Sequence, residues 1–368
     1  MAAPWRKPEL IPGLPGDVAM ECLARVPLRS HRAMRHVCRG WRRASSGEDF
    51  RRHRRAAGAE EHVVFLVQAT PARGVVGDGK EFTAAVKCAL AAANLTTGEW
   101  RRVEGGVTFF ARCAAAGDGH VAVLGGWDPA AAAPCCLSRD VRVLDVSTGT
   151  WRRGAAMPDA RGFFGCAGGG GGEVYVAGGH DESKNALRSA YAYDVAADAW
   201  RALPDMSEER DEPQLVVETR GNRVLAASGY PTDAQGAFKK TAEMYAGDGD
   251  WTSTGDILPK TCMAAVGGKV WAIGAGKGGV KEWDVAAGAG GGAWRDVADG
   301  PPGMKACVQA VGLGGGDGVF VFGKADDAAE KEGRHAAWVM DAGGAAWRRV
   351  AVPPGFAGFA YSAAAVRV

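Results

Sequence analysis

The 368-residue chain lacks several of the patterns that most often announce a function. Its nine cysteines form no Cys-x-x-Cys pair and no Cys/His cluster with zinc spacing, so a structural zinc site is not expected. They are scattered and odd in number, and several fall inside apolar stretches, where a free cysteine behaves as a small hydrophobe. That usage suits a reducing compartment. No apolar run approaches the ~20 residues of a membrane span, and the N-terminus has no apolar core of a secretory signal. The expectation is a protein of the cytoplasm and/or nucleus with no membrane contact. Histidines number only seven, and the isolated His180-Asp181 pair has no further ligand spacing around it, so neither metal nor cofactor is expected. Gly274-Ala275-Gly276-Lys277 is not a phosphate loop, because Trp271 and Gly278 stand where such a loop needs Gly and Ser/Thr. Nothing suggests a Ser/His/Asp or Cys/His set. Residues 1–60 carry a net charge of +7 and the remainder −5. Without interleaved aromatics the basic end reads as a solvated helical face rather than a nucleic-acid site.

What the chain does have is a ladder of six tryptophans, Trp100, Trp151, Trp200, Trp251, Trp294 and Trp347, spaced 51, 49, 51, 43 and 53 residues apart. All but Trp251 are followed by Arg, and a polar residue stands six positions before four of them: Asn94, Asp145, Asp194 and Asp341. Trp251 has Tyr245 there; before Trp294, Gly288 to Gly292 reads as a loop insertion after Asp284. A period near 50 with strand-like units signals propeller blades. The third unit shows the grammar: an apolar run (Gly162 to Ala167), a glycine turn, an alternating stretch (Glu173 to Ala177) ending at Gly178-Gly179, a polar loop, a second alternating stretch (Ala190 to Asp194), then Trp200-Arg201. These are four short strands, a to d. The Gly pair allows sharp bends and close approach near the propeller centre. The first unit has no strand a, whereas Gly358 to Val368 is one spare apolar strand. The tail is therefore expected to supply strand a of blade 1 and close the ring. The six tryptophans are expected in the blade cores. The run of apolar stretch, Gly-Gly, c strand and Trp over residues ~60–368 resembles the kelch motif.

Upstream, Asp17 is a plausible N-cap, with Val18, Cys22, Leu23 and Val26 on a helical face ended by Pro27. A second helix is expected over Ser30 to Arg43, with Met34, Val37, Cys38 and Trp41 on one stripe. Forty such residues bury little core alone and would gain stability by docking on a partner. Leu14-Pro15-x-Asp17, Leu23, Val26-Pro27 and Val37-Cys38-Arg39-x-Trp41 resemble the F-box. The resemblance implies that Leu14, Pro15, Asp17, Leu23, Val26, Pro27, Val37, Cys38 and Trp41 contact a Skp-type adaptor of a cullin–RING ubiquitin ligase. The expected organisation is all-β: an F-box over 8–50, a linker over 51–60, and a six-bladed kelch β-propeller over 61–368.

The whole chain resembles the plant F-box/kelch-repeat proteins. Gly178-Gly179-His180-Asp181 with Lys184 to Ala190, and Glu209-Arg210-Asp211-Glu212 with Ser228-Gly229-Tyr230, Thr232, Gln235-Gly236 and Phe238, are similar to a subgroup linked to turnover of phenylalanine ammonia-lyase and of cytokinin-response regulators. The resemblance implies a non-catalytic substrate receptor acting by proximity, with type-B response regulators or phenylalanine ammonia-lyase as clients. Other kelch propellers are scaffolds without turnover, or copper and iron enzymes; the first is the alternative reading. Long b–c loops (69–83, 127–139, 180–188, 230–241, 324–335) are expected to gather client contacts at one mouth. The candidates are His180, Asp181, Lys184, Arg188, Arg210, Asp211, Tyr230, Gln235, Phe238 and Lys239. Arg161 and Arg210 also sit where a structural Arg is common. The linker joins blade 1 from the opposite face, which puts the adaptor module there.

Overall fold

The computed structural model describes residues 9–70, 87–105, 107–117, 119–127, 137–218, 222–258, 261–283, 294–325, 335–343 and 346–368. Four helices precede the strands: α1 (Gly16–Ala24), α2 (Leu28–Val37), α3 (Arg39–Ala44) and α4 (Glu48–Ala56). Helix α1 starts at Gly16 behind Pro15, so Asp17 is not the N-cap; it lies in the first turn, where its charge complements the helix dipole. The helix expected over 30–43 is two helices. Cys38 is extended (φ −159°, ψ 168°), and its Sγ accepts from the Trp41 N–H as the cap of α3. Helix α4 occupies much of the segment read as a linker.

The rest is six four-stranded antiparallel sheets. Blade 1 contains β1 (His62–Thr70), β2 (Lys87–Asn94) and β3 (Trp100–Val103); blade 2 is β4 (Arg112–Ala115), β5 (His120–Leu124), β6 (Val141–Asp145) and β7 (Thr150–Gly154). Blade 3 is β8 (Gly165–Gly168), β9 (Glu173–Ala177), β10 (Ala190–Asp194) and β11 (Ala199–Leu203); blade 4 is β12 (Gln214–Glu218), β13 (Arg223–Ala227), β14 (Thr241–Tyr245) and β15 (Thr252–Asp256). Blade 5 is β16 (Cys262–Val266), β17 (Lys269–Ile273), β18 (Val280–Trp283) and β19 (Arg295–Ala298); blade 6 is β20 (Met304–Leu313), β21 (Gly318–Ala325), β22 (His335–Asp341) and β23 (Trp347–Val350). The last strand, β24 (Ala360–Arg367), pairs antiparallel with β1, as the spare apolar tail led one to expect. The innermost strands touch in the order β24, β4, β8, β12, β16, β20 and back to β24, so the ring is closed. Crowding there accounts for part of the alanine and glycine excess: a Cβ on Gly312 of β20 would lie 1.8 Å from the Ala265 carbonyl oxygen of the neighbouring blade.

Strands b are the most buried, and they carry the apolar runs: all of Val121 to Leu124, Val174 to Ala177 and Val224 to Ala227 are buried. Trp251 is a buried member of one core, and Trp100, Trp151, Trp200, Trp294 and Trp347 pack half-buried against the others. Trp151, Trp200 and Trp347 are half-buried on strand d, and their indole Nε1–H groups donate to Glu104 O, Ala155 O and Asp299 O at 2.7–2.8 Å. Trp251, buried just before β15, donates to Pro204 O at 2.8 Å. Each acceptor lies just past strand d of the preceding blade, so these four indoles staple blade to blade. The polar residue six positions upstream caps the c–d turn: Asp145 Oδ1 accepts from Ser147 and Thr148 N–H, Asp194 Oδ1 from Ala196 and Ala197, and Asn94 Oδ1 from Thr96 and Thr97.

Two opposed faces as the candidate functional site

Leu23, Ala24, Met34 and Phe50 form the core of the helical module, with Leu10, Met20, Val26, Trp41 and Ala44 packed around them. Leu23 is therefore a core residue, 1% exposed, and not a free contact. Leu14, Val26 and Trp41 are half-buried, and the Trp41 Nε1–H donates to Leu10 O at 2.6 Å. Pro15, Asp17, Pro27, Val37 and Cys38 are exposed, as are Val18 and Cys22. Helix α2 buries Leu28, His31 and Met34, which leaves Val37 exposed at its last position, and the extended Cys38 ends the helix. Val18 and Val37 are 43% and 61% exposed.

The module is fastened to the propeller by groups that no sequence motif flagged. Arg54 of α4 is 1% exposed. Its guanidinium donates to Ala24 O and Val26 O (both 2.7 Å), to Ala59 O (2.6 Å) and to Val368 O (3.3 Å), and it lies 3.5 Å from the buried Glu61 carboxylate. Burial holds the Arg54 pKa below the usual arginine value. Glu61 accepts in turn from Leu28 N–H at 2.6 Å and from the Asn94 side-chain amide, while its backbone exchanges two hydrogen bonds with Val368. Leu28 packs into the apolar cluster shared by blades 1 and 2. Val368 follows strand a and Glu61 precedes strand b, so the helices dock on the a–b side, opposite the b–c loops. His31 is buried against Phe50, 5.6 Å ring to ring, and burial lowers its pKa to about 4, aided by the nearby Arg54 charge.

On the b–c side the polar candidates separate into buried and exposed sets. Arg210 is fully buried, with its guanidinium bonded to Glu243, Glu208, Ser228 O, Thr241 O and Thr241 Oγ1. Arg161 holds Gly178 O, Ser189 O and Asp159 in the same way. Both are struts for the b–c loop, which corrects Arg210 as a client contact. His180 and Asp211 are likewise buried, each 3% exposed, and the His180 Nδ1 lies 2.9 Å from the Asp211 carboxylate. Asp181 is half-buried and caps its own loop through Ser183 and Asn185 N–H. Tyr230 is buried, with its hydroxyl donating to Glu212 Oε1 at 3.2 Å, and burial beside Asp211 and Glu212 raises its pKa. Lys184, Arg188, Gln235 and Phe238 are exposed, and Lys239, half-buried, pairs with Glu208 at 3.3 Å. The loops over 71–86, 128–136 and 326–334, expected to add to this face, lie outside the described residues.

The Gly pairs before the loops of blades 2 and 3 are required sterically. At Gly179, φ is +83°, and a Cβ would lie 2.3 Å from Gly162 O. The next residue, His180, then bridges Gly162; Trp127 bridges Phe109 and Tyr230 bridges Asp211 in the equivalent places. The loops are thus tied to the d–a connections at the same point in blades 2, 3 and 4. Matching this, Phe110, Phe163 and Glu212 share a left-handed backbone, with φ of 57°, 52° and 53°.

The side chains that sequence reasoning missed here are aromatic. Phe110 lies 4.8 Å from Phe163 and 4.9 Å from Tyr361; Phe163 stacks on His180 at 5.6 Å; Tyr361 continues to Phe359 at 5.2 Å. Phe109 and Trp127 extend the arc over blade 2. The signal was the Phe-Phe pair, 109-110 and 163-164, recurring ahead of strand a. Among the described residues the large apolar side chains that remain exposed are Val18, Val37, Trp127, Phe238 and Phe359. Two are on the helices and three on the opposite loop face.

Comparison with known proteins follows the same division. Residues 11–53 match the F-box domain, and residues 110–158 and 163–207 match the Kelch motif. The F-box/kelch-repeat protein At1g15670 of Arabidopsis thaliana is 39% identical over 282 residues, covering 72% of this chain and 77% of that one. This chain belongs to the F-box/kelch-repeat proteins. Also similar, from the same plant, are F-box/kelch-repeat protein At2g44130 (41% identical; 64% of this chain, 63% of that one) and F-box/kelch-repeat protein SKIP20 (38% identical; 64% of each). The match spans just under two thirds of the length of those two relatives. In this F-box/kelch-repeat chain no group of three or more His, Cys, Asp or Glu is placed to hold a metal ion among the described residues. Among the same residues, no helix is long and apolar enough to cross a membrane.

Proposed function

We propose that this chain is the substrate-recognition subunit of a Skp–cullin–F-box ubiquitin ligase. The helical module takes the Skp-type adaptor through Leu14, Pro15, Val18, Val37 and Cys38, and the b–c face of the propeller holds a client protein. Catalysis belongs to the ligase; the chain acts by raising the local concentration of client lysines beside the ubiquitin carrier. The observation that carries the reading is the division of exposed apolar side chains into two sets, Val18 and Val37 on the helices and Trp127, Phe238 and Phe359 on the loop face. Exposed apolar groups gathered in this way mark interaction surfaces. A scaffold without turnover needs only the loop face and leaves Val18 and Val37 unexplained.

By family resemblance the client is phenylalanine ammonia-lyase or a type-B response regulator, the pathway phenylpropanoid synthesis or cytokinin signalling, and the site of action cytoplasm and/or nucleus. Capture from plant extract with the proteasome blocked tests this, comparing wild type with Leu14→Ala/Pro15→Ala. Adaptor and cullin in the wild type alone, with a client enriched by the variant, support the proposal. Adaptor absent from both, with partners retained, supports a scaffold.

A further inference from the structure

The propeller axis is a channel of about 1400 Å³ lined by the inner strands. At its b–c mouth stands Arg112, the first residue of β4. Its Nη1 donates to Tyr361 O at 2.6 Å, and its Nε is buried with no partner. The fully buried Arg54 and Arg161 also have an unpartnered Nε, but each faces a carboxylate, as does the fully buried Arg210: Glu61 for Arg54, Asp159 for Arg161, Glu243 and Glu208 for Arg210; Arg112 is half-buried. Among the described residues no carboxylate lies within ion-pair distance of Arg112. The nearest acids are otherwise engaged, Glu212 by the Tyr230 hydroxyl and Asp211 by His180. Desolvation lowers the Arg112 pKa, offset only in part by neighbouring charges that include Glu212 and Asp211. Its carbonyl partner belongs to Tyr361, whose ring meets Phe110, which in turn meets Phe163. The cation is thus set beside an aromatic arc held by left-handed backbone at Phe110 and Phe163. Strain of this kind persists where the surroundings over-determine it, and it gathers at binding sites.

We propose that the mouth receives an extended client segment carrying an acidic side chain, its carboxylate facing Arg112 and a neighbouring aromatic or large aliphatic residue packing on Phe110, Phe163 and Tyr361. The inference rests on the client-receptor reading and names the chemistry of the client. A peptide fits better than a small anion, because the arc extends beyond Arg112 to Trp127 over blade 2 and through Tyr361 to Phe359. A small anion would leave that surface uncovered.

The test is selection of phage-displayed random dodecapeptides on the full-length chain, followed by affinity measurement with synthetic copies. Selected peptides should carry Asp or Glu beside an aromatic or large aliphatic residue. They should bind Arg112→Gln at least about tenfold more weakly, with partial recovery in Arg112→Lys. Replacing the peptide's own Glu by Gln should cost wild-type affinity by a similar factor, a readout independent of how the variants fold. Peptides without acidic bias, no enrichment at all, undiminished binding to Arg112→Gln, or displacement by millimolar inorganic phosphate would each overturn the proposal. Adaptor capture by the same preparation is scored separately, so failure of the receptor reading is distinguishable from failure of this one.

Discussion

Replacing Arg54 by Met should uncouple the helical module from the propeller. Methionine keeps most of the volume and removes the charge and every donor. The substitution strips the guanidinium from Ala24 O and Ala59 O, and leaves the Glu61 carboxylate buried without its cation. Val26 O keeps His31, Val368 O keeps the Glu61 N–H, and Glu61 keeps Leu28 N–H and Asn94. Breaking a buried pair costs about 3–5 kcal/mol, and the retained bonds place this case near about 3 kcal/mol. Urea unfolding at neutral pH, followed by tryptophan fluorescence, measures it. Because the pair joins α4, the start of β1 and the end of β24, the variant should also show faster amide exchange in α1 and α4 than in the blades. Glu61→Gln in the same background removes the stranded charge and should restore part of the loss, giving a coupling of about 2 kcal/mol in a double-mutant cycle. A loss under about 1 kcal/mol with no coupling would mean that the pair behaves as a solvated surface bridge and does not hold the helices to the propeller.

His31 should make the helical module acid-sensitive. Its folded pKa of about 4 lies below the ordinary 6.5, so it favours the fold while neutral; that contribution is complete above pH 6.5 and is lost as pH falls toward 4. The shift corresponds to at most about 3 kcal/mol, of which about 2 kcal/mol is gone by pH 5, and His31→Phe should flatten this part of the stability–pH curve. Trp200→Phe keeps the stacking on Tyr193 but deletes the donor to Ala155 O. It should cost about 1 kcal/mol, whereas an indole acting only as core filler would show a loss set by volume rather than by the hydrogen bond; Tm shifts of this variant against Trp200→Leu separate the two. Gly179→Ala forces an L side chain at φ +83° into the Gly162 carbonyl and should destabilise by well over about 1 kcal/mol, with loss of the His180 loop seen by limited proteolysis.

The architecture was legible because its signals are periodic. Six tryptophans at blade spacing, the missing first strand and the spare last one led to the same ring that the sheets form. What the ladder does was not legible, since the indole hydrogen bonds run 45–48 residues back to backbone carbonyls that leave no mark in sequence. Val37 was placed on one stripe with Met34, yet α2 buries Leu28, His31 and Met34 and leaves Val37 exposed at its end, and the extended Cys38 splits what read as one helix into two. Arg210 and Asp211 looked like loop charges, yet propeller loops must satisfy their own polar groups: Arg210 is spent on the Ser228 and Thr241 carbonyls, and Asp211 on the His180 ring and the Glu212 N–H. Arg54 was invisible for a different reason: its partners span residues 24 to 368, and only the folded ring brings them together. The aromatic arc left a trace in the repeated Phe-Phe pair, masked by the apolar strand pattern that follows it.

The most direct measurement is binding of the full-length chain to a purified Skp-type adaptor, by titration calorimetry, for wild type and for Val37→Asp. Val37 is 61% exposed and belongs to no core cluster, so the variant should fold and melt as wild type does. A one-to-one complex is expected with wild type, weakened at least about a hundredfold in the variant. No complex with wild type, or equal affinity for both proteins, would contradict the claim that the exposed helical face is the adaptor surface of a substrate receptor.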